Sequence, residues 1–116
     1  MDRVGRTAAF GLFVCLAVAA GCSKKEERVL FDGHYFPAKA AAVDRKATLA
    51  DFVVSVKDAS VSLDGARAAG GYEGTRYCIA NYGTSRIDWT VGPDTEPQNL
   101  VIDKDTLNFQ GTCLRP

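Results

Sequence analysis

The chain has 116 residues, which allows one small domain at most. Lys plus Arg and Asp plus Glu both number 14, so the formal net charge is zero. That balance argues against nucleic acid as a main partner, because proteins that neutralise phosphates carry a basic excess. The chain opens on two basic residues, Arg3 and Arg6, followed by an uncharged run from Thr7 to Gly21. Its apolar core, Ala8 to Val18, has the length of a signal-peptide core. It falls short of the roughly 20 apolar residues that a permanent span requires. The run ends on small residues, Ala19-Ala20-Gly21, and then Cys22.

Basic start, short core and small residues before a cysteine together resemble the lipobox of bacterial lipoproteins. Ala20 and Gly21 match the small positions of that motif, and Ala19 stands where the family usually has leucine. The resemblance covers about the first fifth of the chain. It implies a signal peptide over residues 1–21, cleavage before Cys22, and a diacylglycerol on the Cys22 thiol. The partner so implied is membrane lipid, through acylated Cys22. Each buried methylene contributes about 0.8 kcal/mol, so two or three acyl chains hold a protein firmly. In the same family an aspartate after the cysteine favours retention in the inner membrane. Ser23 occupies that position, which implies the outer membrane, facing the periplasm. The alternatives are an uncleaved anchor helix and an ordinary secretory signal.

Residues 22–29 read as the lipidated cysteine and a polar tether. Ser23-Lys24-Lys25-Glu26-Glu27-Arg28 has too little apolar surface to fold alone. Lys24 and Lys25 could touch anionic headgroups, but Glu26 and Glu27 offset them.

Residues 30–116 read as a small α+β domain. Tyr35 to Val43 is expected to be a strand with Phe36, Ala38, Ala40 and Ala42 on one face, and Asp44-Arg45-Lys46 a turn. Asp51 to Lys57 alternates Phe52, Val54 and Val56 with Val53, Ser55 and Lys57, so the two strands could form an antiparallel hairpin. Ser62 offers an N-cap for a helix from about Leu63 to Tyr82, with Asp64 in its first turn and Gly83 as its stop. Ala66, Gly70, Gly74 and Cys78 recur every four residues, a stripe that would let the helix backbone sit close on a sheet. Leu63, Tyr77 and Ile79 are expected to supply bulk nearby. Each glycine costs about 1 kcal/mol relative to alanine, so Gly70-Gly71 could instead kink or hinge the helix.

Ile87, Trp89 and Val91 alternate with Asp88 and Thr90 as a third strand, ended by Gly92-Pro93-Asp94. Leu100 to Ile102 and Thr106 to Phe109 flank a hairpin turn, Asp103-Lys104-Asp105, and the last strand runs towards Cys113. The order is β-β-α-β-β, with a further short strand, and the architecture is one helix packed on a small antiparallel sheet. This order, with Leu63-x-x-Ala66, also resembles small envelope lipoproteins of the stress-sensor type and their uncharacterised relatives. That resemblance carries no function with it.

Four cysteines divide unevenly. Cys15 leaves with the signal and Cys22 carries lipid. Cys78 and Cys113 remain, and export to an oxidising compartment favours a disulfide between them. No Cys-x-x-Cys and no neighbouring histidine suggests a redox or metal role for the pair.

No catalytic constellation stands out, and no cofactor or metal is expected. His34 sits near a turn. Asp103 and Asp105 resemble half a calcium loop without its glycine and distal glutamate, and a solvated turn is the expectation there. Tyr72, Tyr77, Tyr82 and Trp89 could line an aromatic groove, although Tyr77 and Trp89 read better as core and Tyr72 and Tyr82 as surface. The expected function is a non-enzymatic envelope lipoprotein that binds, senses or supports another envelope component. The alternative is a small periplasmic hydrolase or cell-wall-acting enzyme, which a cluster of Asp32, His34 and Asp88 in a cleft would favour.

Overall fold

The computed structural model describes residues 28–115. The signal segment, Cys22 and residues 23–27 of the tether lie outside the described residues. Five strands and one long helix follow in the expected order: β1 (Ala38–Asp44), β2 (Thr48–Val56), α1 (Leu63–Tyr82), β3 (Ile87–Val91), β4 (Val101–Asp103) and β5 (Thr106–Cys113). All strand pairs are antiparallel. The sheet runs β1-β2-β5-β3, and β4 pairs with β5 beside β3. The class is α+β, with α1 packed on the sheet.

Boundaries moved where backbone donors decide them. β1 starts at Ala38 and not at Tyr35. Pro37 has no N–H to give a ladder, and its carbonyl instead accepts from Lys57 N at 2.8 Å. β2 begins earlier than expected because Thr48 pairs with Asp44 across the turn. Asp44 closes that turn itself, accepting from Lys46 N at 3.1 Å through Oδ1 and from Ala47 N at 3.0 Å through its carbonyl.

Strand alternation sets the core. Phe52, Val54 and Val56 of β2, with Leu107 and Phe109 of β5, are fully or almost fully buried. Burying each such side chain contributes about 1.5–3 kcal/mol. The opposite face of the sheet is solvated and carries polar pairs: Thr112 Oγ1 donates to Asp51 Oδ1 at 2.7 Å, and Ser55 Oγ to Asn108 Oδ1 at 3.3 Å.

The helix runs from Leu63 to Tyr82 through Gly70-Gly71 as one element. Ser62 Oγ accepts from Gly65 N at 3.0 Å at its start. Gly83 ends it with φ of 71°, a left-handed conformation that suits glycine, and donates its N–H to Ile79 O at 2.9 Å. The buried face of the helix is made of Gly65, Ala66, Ala69, Gly70, Gly74 and Cys78. Its notch is filled from below. A Cβ on Gly70 would lie 2.6 Å from the Phe109 ring, and one on Gly74 would lie 2.5 Å from Cη2 of Trp89. Trp89 stands edge-on between Phe52 and Phe109, at 5.5 and 5.6 Å between centroids. The stripe therefore serves close packing.

Two expectations about bulk are corrected. Ile79 is 52% exposed and Leu63 is 36% exposed. Ile79 is one residue, about 100° of helical rotation, beyond the buried Cys78, and Leu63 stands at the helix start. The bulk against the stripe comes from the sheet's aromatic rings. Tyr82, expected at the surface, packs against the core with Tyr77, Trp89 and Ile87.

The Asp103-Lys104-Asp105 segment is also more than a solvated turn. Lys104 and Asp105 both have positive φ, 53° and 63°, as a tight two-residue hairpin demands. The Asp105 carboxylate accepts from Ser60 N at 2.8 Å and from Ser60 Oγ at 3.0 Å, and its carbonyl accepts from Ala59 N at 3.0 Å. It fastens the β4–β5 hairpin to the short 3-10 turn Ala59–Val61 that leads into α1.

Candidate functional site

Cys78 and Cys113 are bridged, with Cα atoms 5.5 Å apart. Both are buried. Cys78 lies in the last turns of α1, on the small-residue stripe, and Cys113 ends β5. The bridge thus ties the helix to the central part of the sheet, and its burial suits a structural role.

Asp32, His34 and Asp88 do not form a cleft. Phe31 and His34 exchange backbone hydrogen bonds of 2.8 and 3.0 Å around a tight turn. Asp32 in that turn accepts from Ser62 Oγ at 2.6 Å, which places it at the start of α1. Asp88 pairs in register with Thr112, next to the Cys113 that bonds Cys78 near the other end of the helix. At about 1.5 Å per residue, Ser62 and Cys78 are separated by about 24 Å along the helix axis. Among the described residues, no group of three or more His, Cys, Asp or Glu side chains is placed to share a metal ion.

The aromatic groove foreseen from Tyr72, Tyr77, Tyr82 and Trp89 is not formed by those four. Tyr77 stacks on Phe52 at 5.0 Å and donates its hydroxyl to Leu49 O at 2.7 Å. Burial raises the Tyr77 phenol above its ordinary value near 10, nearby Tyr82 raises it further, and Arg45 opposes both. A phenol that ionises later in the fold than in the unfolded chain contributes stability at lower pH. That contribution fades as pH rises past about 10. Tyr77→Phe is accordingly expected to reduce the fall in thermal midpoint between pH 9 and pH 11. It should also cost about 1 kcal/mol at neutral pH, from the lost hydrogen bond. Thermal melts across that range check both effects.

A concavity lies elsewhere, between the start of the domain and the middle of α1. It is a cleft of about 390 Å³, walled by Arg28, Phe31, Tyr35, Tyr72, Glu73 and Arg76, with Val29 at its rim. Phe31 meets Tyr72 at 5.5 Å. The Arg28 guanidinium lies over the Tyr35 ring at 4.4 Å, and that of Arg76 over Tyr72 at 5.9 Å. Arg76 also reaches Glu73 at 3.4 Å. Gly65 makes the approach possible: a Cβ there would stand 2.8 Å from the Phe31 carbonyl and from the Phe36 ring. Of these residues only Tyr72 was expected in a groove. The legible signal was the run of Phe31, Tyr35 and Phe36 directly after the tether. That Arg76 and Tyr72 of the helix face this run depends on the packing of α1.

Among the described residues, no helix is long and apolar enough to cross a membrane. Compared with known proteins, the chain matches no family model, no curated protein and no solved structure.

Proposed function

We propose that the chain is a lipoprotein of the bacterial envelope, anchored by acyl chains on Cys22, with residues 30–116 serving as a non-enzymatic binding, sensing or structural domain. The observation that carries this reading is the register of Arg3 and Arg6, the apolar core and Ala19-Ala20-Gly21-Cys22. The buried Cys78–Cys113 bridge supports an oxidising compartment. Cys22→Ala is expected to abolish both acylation and processing, because the thiol is the acceptor. Incorporation of a clickable fatty acid, followed by gel mobility, reads both. Equal incorporation in wild type and variant would end the lipoprotein reading.

The outer membrane facing the periplasm is the proposed address, on the strength of Ser23. Ser23→Asp is expected to move the protein to the inner membrane in a host that sorts by that residue. Density fractionation of the two forms checks this, and wild-type protein in the inner-membrane fraction would contradict the address.

A further inference from the structure

We infer that the cleft walled by Arg28, Tyr35, Tyr72 and Arg76 lies on the bilayer surface and takes the phosphates of anionic lipid headgroups. The inference rests on the proposed acylation of Cys22. Arg28 is six residues beyond Cys22 and forms part of the cleft wall. Six extended residues reach about 20–22 Å at most. The headgroup layer of one leaflet uses about 5–8 Å of that reach. This cleft therefore sits at the leash itself.

The chemistry of the rim fits the same surface. Val29 is 47% exposed, Tyr35 44% and Tyr72 42%. Tyrosines with an apolar ring and a polar tip concentrate at membrane–water interfaces. A guanidinium laid over an aromatic ring keeps N–H donors at its edge, and those edges match a phosphate. Among the described residues, two guanidiniums face one carboxylate in the cleft, that of Glu73. The Arg76–Glu73 pair is long at 3.4 Å, and the Arg76 side chain is largely exposed, so a phosphate can compete for it. The amphipathic, positively charged rim suits an anionic interface better than a neutral protein partner.

The test uses the full chain, purified after processing in a bacterial host and weighed to establish the acyl mass. It is then reconstituted into phosphatidylethanolamine vesicles brominated near the glycerol end of the acyl chains, with and without phosphatidylglycerol. Wild type supplies the emission of Trp89, its single tryptophan, which packs between helix and sheet. Tyr35→Trp and Tyr72→Trp, made separately, each add an indole at the rim. The added emission is expected to be quenched beyond that of Trp89, more so with phosphatidylglycerol present. Arg28→Gln and Arg76→Gln should each lower the docked-to-undocked ratio about fivefold, equivalent to about 1 kcal/mol for each basic side chain near an anionic surface.

An acylated chain in which neither added indole is quenched beyond Trp89 overturns this inference and leaves the anchor reading intact. Quenching that ignores phosphatidylglycerol and both arginine substitutions overturns the headgroup site. A processed chain without acyl mass overturns the anchor reading, and with it the leash that brings the cleft to the bilayer.

Discussion

Reduction of the Cys78–Cys113 bridge is expected to lower the thermal midpoint by about 15–30 °C. The two cysteines are 35 residues apart in sequence. Closing a loop of that size removes unfolded-state entropy worth about 3.8 kcal/mol. In a domain of this size each kcal/mol moves the midpoint by about 4–8 °C. The total stability of such a domain is only about 5–15 kcal/mol, so the bridge is a large share of it. Its location adds to the effect. β5 pairs with β2 on one side and with β3 and β4 on the other, so releasing Cys113 frees the end of the strand that holds the sheet together. Melting curves with and without reductant, on protein whose thiols were blocked at lysis, make the measurement. A shift of only a few degrees would show that the packing of α1 holds the layers without the bridge.

Filling the helix notch is expected to have the next largest effect. Gly70→Ala and Gly74→Ala each gain about 1 kcal/mol in helix propensity. Against that, the new methyls would meet Phe109 at 2.6 Å and Trp89 at 2.5 Å. Forcing atoms into a packed core costs about 1–3 kcal/mol, occasionally more. The rings cannot easily swing aside, because Trp89 stands between Phe52 and Phe109 and Phe109 is 1% exposed. Each single variant should therefore lose up to about 2 kcal/mol net. The double variant should lose less than the sum, because a helix lifted off the sheet for one methyl has already made room for the other. Denaturant unfolding of the two singles and the double gives all three values. A gain in stability from Gly74→Ala would mean that propensity outweighs contact, and that the notch is looser than its geometry.

Much of this arrangement was legible in the chain because it depends on local rules. Ser62 and Gly83 mark the helix ends through hydrogen bonds made within a few residues, and Asp64 adds a negative charge to the first turn. Phe52-x-Val54-x-Val56 places three side chains on one face by the two-residue period of a strand. The pairing of Cys78 with Cys113 followed once export was expected and the other two cysteines had other uses. The stripe Ala66, Gly70, Gly74 and Cys78 announced a close approach, although not what would approach.

The rest was decided between elements distant in sequence. The rings of Phe109 and Trp89 enter the glycine notch because β5 and β3 lie side by side under α1, a neighbourhood created by strand order. Tyr82, the last residue of α1, packs against the core, while Ile79 and Leu63 stay exposed on the same helix. Asp105 belongs to Ser60 across 45 residues, a contact that a local reading of a calcium-like segment cannot contain. The cleft is the clearest case. Local composition determined that Arg28, Phe31 and Tyr35 follow the tether. Only the packing of α1 brought Tyr72, Glu73 and Arg76 opposite them, because a binding surface made from two separate elements exists only once their relative position is set.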